Sequence, residues 1–308
     1  MGAGVSDLKA FRIRDGRAVE MAGSSVALER QLQSLIEANM EAMLGIRFLA
    51  SEYPTGRHRG RIDSLGLDET GTPVIIEYKR TRDKEVITQA LSYLAWLEDS
   101  HAEFEGLVRD RLGADAVETV DWTNPRLVCV AGSFTSHSAV ALEVIGRRID
   151  LMAYRMFEDV VTLQLVASVG GQAAPVRRRV SAASEPAGTT VPKSVQQYLD
   201  EAPQDLQDLF ADLDAVLLAY GDVRREAQVH YFAYRRIKNV ATVRVQPRNR
   251  VLVLNLKVDP RTVQLAEGFS RDVSGLGRLG TGDLEVRIRS HEDLERAGEL
   301  IRQSIDAG

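Results

Sequence analysis

The 308-residue chain is long enough for one large domain or two ordinary ones, and for a substantial core. Its 44% hydrophobic and 27% charged content is that of a globular protein, and no run approaches the roughly 20 apolar residues of a membrane span. A net charge of -5 excludes a protein that coats nucleic acid by bulk electrostatics, although local clusters still act over about 10 Å.

The first residues lack the basic start and apolar core of a secretory signal, which sets the expected compartment as the cytoplasm. Leu8 to Ile13 reads as a short strand ending at Asp15-Gly16. From Ser24-Ser25, an N-cap pair, to Leu44, apolar residues recur at helical spacing, and Gly45 supplies the stop. Glu29, Glu37 and Glu41 lie along this helix, where a solvated charge is the ordinary role. Ile46 to Tyr53 reads as a strand, Pro54-Thr55-Gly56 as a turn, and Arg61 to Leu67 as the next strand. Asp68 to Pro73 is dense in turn formers. Val74 to Lys79 opens with an unbroken apolar run that suits a central strand covered on both faces.

Lys84 to Glu98 switches to helical period, with Val86, Ala90, Tyr93, Leu94 and Leu97 on one stripe. Gln89 and Tyr93, four apart, share a face. A further helix is expected over 101–112, a buried strand over 126–131 and a short helix over 140–146. A hairpin of Ile149–Phe157 and Val160–Val166 follows. The lone cysteine, Cys129, sits in the buried strand; it excludes an internal disulfide and is expected to be core. Residues 1–167 thus read as an α/β domain with a mixed central sheet.

Residues 168–192 turn abruptly to Gly, Ala, Ser, Pro and Thr with an Arg177-Arg178-Arg179 run, the composition of an exposed linker. Residues 193–308 read as a smaller α+β domain. Helices open at Ser194 and Pro203, strands cover 223–233, 239–246, 251–258 and 284–289, and a last helix is capped by Ser290. Tyr231, Phe232 and Tyr234 lie beside Arg235, Arg236 and Lys238, and Arg244, Arg248, Arg250 and Lys257 follow. This domain is compatible with nucleic-acid binding by stacking and phosphate contacts, with dimerisation, or with a plain aromatic core under a solvated basic face.

Most motif-level signals fail. Gly275-Leu-Gly277-Arg-Leu-Gly280 has dinucleotide-loop spacing but precedes a strand instead of opening a helix. There is no phosphate-cradling Gly-Lys-Ser/Thr loop and no Gly-x-Ser-x-Gly elbow, and the five histidines lack metal-ligand spacing. One constellation survives. Asp63 and Glu77 are separated by thirteen residues, 64 to 76, across a strand-turn-strand, and Lys79 shares a strand face with Glu77. Two hard oxygen donors that can converge suit Mg²⁺ or Mn²⁺, and a lysine beside them can orient or help deprotonate an attacking water and offset charge developing on phosphorus. Arg57, Arg59 and Arg61 precede Asp63, and Arg80, Arg82 and Lys84 follow Lys79, so an anionic substrate is drawn to the same place if these cations are not simply a solvated face. An ion pair between Glu77 and Lys79, with Tyr93 as core, is the plain structural alternative.

Gly60-Arg61-Ile62-Asp63, the thirteen-residue gap, Ile76-Glu77-Tyr78-Lys79 and the following Gln89-x-x-x-Tyr93 resemble the PD-(D/E)XK nuclease superfamily. Residues 24–98 are most similar to the catalytic domain of archaeal and actinobacterial mismatch endonucleases. The resemblance implies a restriction-endonuclease-like mixed sheet flanked by helices and a Mg²⁺- or Mn²⁺-dependent DNA endonuclease of repair, restriction or phage defence. It implies that Asp63, Glu77 and the Tyr78 carbonyl bind the metal, that Lys79 is catalytic, that Glu29 (Glu37 as second choice) completes the site, and that Gln89 and Tyr93 organise it or touch DNA. In those enzymes the extra domain precedes the nuclease domain, whereas here it follows, so mismatch specificity is not carried over. The C-terminal part, through Lys238-Asn239-Val240-Ala241, resembles a small domain without assigned role. The competing expectation is a catalytically silent nucleic-acid-binding or assembly protein on the same fold; a homodimer is compatible with either.

Overall fold

The computed structural model describes residues 8–24, 29–56, 60–79, 86–134, 145–170, 193–276 and 281–308. Its contacts divide the chain into two units meeting near residue 175. Most of the expected helix at 140–146, residues 277–280 of the expected loop at 275–280 and most of the expected linker lie outside the described residues.

The first unit opens with a two-stranded hairpin, β1 (Phe11–Arg14) and β2 (Arg17–Glu20), in which Asp15 and Gly16 both take positive φ. Only the first of these strands is expected from the sequence. After β3 (Gly23–Ser24) come α1 (Glu29–Ala38) and α2 (Met40–Leu44), where one continuous helix was expected. The break falls at Asn39, whose side chain bonds back to the Leu35 carbonyl in competition with the helix ladder. Strands β4 (Ile46–Pro54), β5 (Arg61–Asp68) and β6 (Pro73–Lys79) form an antiparallel meander. The β5–β6 turn needs Gly71: at φ +77 a Cβ there would lie 1.9 Å from the Thr119 carbonyl.

Helices α3 (Val86–Asp99), α4 (His101–Leu112) and α5 (Ala114–Glu118) follow, then β7 (Arg126–Ala131), β8 (Arg148–Phe157) and β9 (Val160–Val169). The sheet order is β3-β8-β7-β6-β5-β4, with β9 also paired to β8. The β6–β7 and β7–β8 pairs are parallel and the rest antiparallel, giving the expected mixed sheet. Strand β9 runs to Val169, two residues past the expected domain end. One core cluster packs Leu65, Leu67, Ile75, Leu127 and Cys129 against Tyr93, Leu94, Leu97 and Phe104 of α3 and α4, while α1 packs over β5 and β6. Buried Arg126 and Arg148 meet Asp68 and Asp150 near the start of β7 and β8, with Arg126 Nη2 2.6 Å from Asp150 Oδ2.

The second unit holds α6 (Val195–Asp200), α7 (Gln204–Leu218) and a six-stranded antiparallel sheet, closed by α8 (His291–Asp306). Its strands are β10 (Arg224–Ala227), β11 (Phe232–Arg235), β12 (Asn239–Gln246), β13 (Val251–Leu256), β14 (Ser270–Asp272) and β15 (Leu284–Ile288), in the order β10-β11-β12-β13-β15-β14. The single strand expected over 223–233 is a hairpin, closed by a bond from Gln228 N–H to the Tyr231 carbonyl. Ser194 and Gln197 form a reciprocal capping box on α6. The core lies on the helix side of the sheet and includes Phe232, Tyr234, Leu252, Leu254 and Val286 with Leu213, Ala297 and Ile301.

Candidate active site

Strands β5 and β6 pair from Leu67–Pro73 to Ser64–Ile76, and the pairing goes no further. Beyond that point side chains cross the gap. Asp63 Oδ2 accepts the Tyr78 N–H at 2.9 Å, and Glu77 Oε1 accepts the Asp63 N–H at 3.2 Å. Each carboxylate therefore replaces a backbone partner missing where the strands part, and the two are drawn to one spot. In an extended strand a residue's N–H and C=O project to the same side, so the Tyr78 carbonyl also points toward β5. The Tyr78 ring is on the opposite face, its hydroxyl 3.3 Å from Ser64 Oγ.

Glu77 is fully buried, and its Oε2 has no hydrogen-bond partner among the described residues. Burial and then the charge of Asp63 push its carboxyl up to about 9. Asp63 is also raised, by burial first, against the lowering effect of the Tyr78 N–H and Lys79. Lys79 reaches Glu29 Oε1 at 3.5 Å. Burial alone would lower its ammonium, but Glu29, Asp63 and Glu77 outweigh burial and raise it. Lys79 is therefore held as a cation, suited to offsetting negative charge and not to accepting a proton.

Glu29 stands at the first residue of α1 against Lys79, and no group of three or more His, Cys, Asp or Glu side chains gathers into a metal cage among the described residues. Glu37, the second choice, accepts from Ser64 Oγ at 2.6 Å. Gln89 and Tyr93 buttress the entry to β5. The Tyr93 hydroxyl accepts the Arg61 N–H at 3.2 Å and Gln89 Nε2 at 2.9 Å, and a Cβ on Gly60 would lie 2.4 Å from the Tyr93 ring. That explains the glycine just before the buttressed strand, which runs on to Asp63. Among the proposed DNA-contacting cations, Arg61 is exposed and lies 3.6 Å from Glu52; Arg57, Arg59, Arg80, Arg82 and Lys84 lie outside the described residues.

Two neighbours escaped sequence reading. Gln33 Nε2 donates to the Asp63 carbonyl at 2.9 Å and lies within reach of Glu37, Ser51 and Glu52. The signal was present: Glu29, Gln33 and Glu37 are each four apart, one polar stripe beside the apolar one. Glu52 contributes to the field on Asp63 and takes φ +50, a strained conformation for a non-glycine residue that no sequence feature announces.

In the second unit, Phe232 and Tyr234 are buried in the core, and the Tyr234 hydroxyl donates to Asp214 Oδ1 at 2.6 Å. Tyr231 is buried as well. The aromatic residues therefore fill the interior, and base stacking on them is not supported.

Residues 195–307 match the model of a domain of unknown function, DUF5655. An uncharacterized protein of Haemophilus influenzae is 27% identical over 97% of this chain and 99% of its own length. Among solved structures, a complex of EndoMS with double-stranded DNA is 27% identical, with a TM-score of 0.28 over 42% of this chain and 47% of that one. A repair endonuclease from Pyrococcus abyssi is 23% identical, with a TM-score of 0.26 over 42% and 48%. The chain spans about half the length of these two structures. EndoMS in its apo form is 21% identical, with a TM-score of 0.26 over 46% and 62%.

Proposed function

We propose that the first unit is a divalent-metal-dependent nuclease that hydrolyses phosphodiester bonds in DNA, as an endonuclease. The observation that carries this reading is the parting of β5 and β6, which sets the carboxylates of Asp63 and Glu77 side by side with the Lys79 ammonium within their field. A fully buried Glu77 with an unpartnered oxygen, beside the half-buried and mutually repelling carboxylate of Asp63, is costly to keep charged. A divalent cation fits this donor set, because hard oxygen ligands are what Mg²⁺ and Mn²⁺ take. Asp63, Glu77 and the Tyr78 carbonyl would hold it, with Glu29 as an added ligand once released by Lys79. Bound there, the ion would supply Lewis acidity and a more acidic water.

The chain's own residues do the rest. Lys79 stabilises the charge that develops on the phosphorus oxygens, Gln33 fixes the Asp63 backbone, and Gln89 with Tyr93 fixes the strand that carries it. Arg61, with the cations at 57, 59, 80, 82 and 84, would draw the DNA. A catalytically silent binding protein is the second reading, favoured by one observation, the engagement of Lys79 with Glu29.

Cleavage of single-stranded, duplex, branched and mismatched DNA with Mg²⁺ or Mn²⁺ decides between them. Wild type is expected to cut at least one substrate, and Asp63→Ala and Lys79→Ala to lose about 100-fold or more in rate. Salt-dependent DNA binding without cleavage of any substrate would leave the silent reading standing.

A further inference from the structure

We propose that the second unit carries a phosphate-binding site, formed by Arg271 and Arg287 above the buried carboxylate of Glu285 on the sheet face away from the helices. Register places these residues together: Arg271 on β14 pairs with Glu285 on β15, and Arg287 lies two positions along the same strand. Arg244, on β12, reaches Glu285 from the other side.

Glu285 is saturated. Its Oε1 accepts Arg271 Nε at 2.7 Å and Arg287 Nε at 3.1 Å, and its Oε2 accepts Arg271 Nη2 at 2.9 Å and Arg244 Nη2 at 3.0 Å. Burial would raise this carboxyl, but the hydrogen bonds from Arg271 and Arg287 outweigh it, so the carboxylate stays charged. Three guanidinium groups thus share one negative charge, leaving a surplus of two positive charges.

The buried charge network of the first unit is balanced by contrast. It sets Arg126 and Arg148 against Asp68 and Asp150, two against two, all sealed from solvent. At Glu285 the acid alone is buried, at 2% exposure, while the Arg271 and Arg287 side chains are 51% and 39% exposed. No second carboxylate among the described residues meets either guanidinium group; Asp259 is taken by Arg261 and Asp272 by the Ser274 N–H. A buried acid that orients unneutralised arginines outward is an arrangement for an anion. Among the described residues, both Nη atoms of Arg287 and the Nη1 of Arg271 have no hydrogen-bond partner.

Beside them a cavity of about 180 Å³ is lined by Gly268, Phe269, Ser270, Arg271 and Arg287. A phosphate matches the double surplus and the forked donors, and the cavity offers room for the group that bears it. The phosphate can belong to a nucleotide or to a nucleic-acid strand. The site lies in the other unit and does not depend on whether Asp63 and Glu77 support hydrolysis.

The test uses the full chain in EDTA, with inorganic phosphate and adenosine 5′-monophosphate titrated by calorimetry and a fluorescein-labelled single strand by anisotropy across a salt series. Wild type is expected to bind at least one probe, and Arg271→Gln/Arg287→Gln to bind it about tenfold more weakly. Binding of the small probes assigns the site to a nucleotide. Binding of the strand but not of the small probes, weakened in the double variant, assigns it to nucleic acid, and the salt slope of the variant then falls by about 0.7 for each phosphate that it no longer neutralises. If the double variant fails to fold by circular dichroism, Arg287→Lys, which keeps charge but removes the fork, is expected to weaken the same probe severalfold. Failure of folded wild type to bind any probe, or unchanged affinity in a folded variant, overturns the proposal.

Discussion

Glu77 sits where a carboxylate is held only at a cost. The sign of that cost is testable. A carboxyl raised to about 9 in the folded protein binds its proton more tightly than in the unfolded chain, where it titrates near 4.5. The metal-free protein should therefore lose stability as pH rises between those values and level off above. Urea melts across that range should show the fall in wild type and a flatter profile in Glu77→Gln; parallel profiles would contradict the assignment. Tyr93→Phe keeps the ring but removes the acceptor for the Arg61 N–H, and is expected to cost about 1 kcal/mol. At this scale the shared face of Glu77 and Lys79 was legible from strand periodicity, and the approach of Asp63 to Glu77 from the turn formers between their strands. Glu52 was not, because its positive φ leaves no mark in composition.

The element that carries the candidate site is the β5–β6 pair, whose ladder stops at Ser64 and Ile76. The two strands and the turn between them were legible, since turn formers and apolar runs are local signals. The parting of the strands was not, because the bonds made around it, from Gln33 on α1 to the Asp63 carbonyl and from the Arg61 N–H to Tyr93 on α3, join residues distant in the chain. Boundaries failed where a local side-chain bond intervened, as at Asn39, or where two short strands with a tight turn read as one, as over 223–233. Further along the same sheet, Asp150 holds Arg126 through Nε at 2.7 Å and Nη2 at 2.6 Å. Asp150→Ala leaves two buried guanidinium groups with Asp68 as the remaining carboxylate of the network and should destabilise by about 3–5 kcal/mol in denaturant melts. A change below about 1 kcal/mol would show that the charge finds water.

Across the molecule each unit closes its own core: the buried apolar clusters run from Leu49 to Leu151 in one and from Val195 to Ile305 in the other. A fragment of residues 193–308 should accordingly melt cooperatively by itself, and a broad, non-cooperative transition would contradict that. The composition changes abruptly from residue 168, and the chain divides into two compact units after Pro175. The burial of the second part's aromatic residues and its Arg244, Arg271 and Arg287 cluster were not legible, because the first depends on packing under the sheet and the second is assembled from three strands. The central claim is that Asp63, Glu77 and Lys79 form one metal-dependent hydrolytic site. Its most direct measurement pairs Mn²⁺ binding with DNA cleavage in wild type, Asp63→Asn and Lys79→Ala. The account predicts that wild type binds and cuts, Asp63→Asn does neither, and Lys79→Ala binds without cutting; cleavage at the wild-type rate in either variant would contradict it.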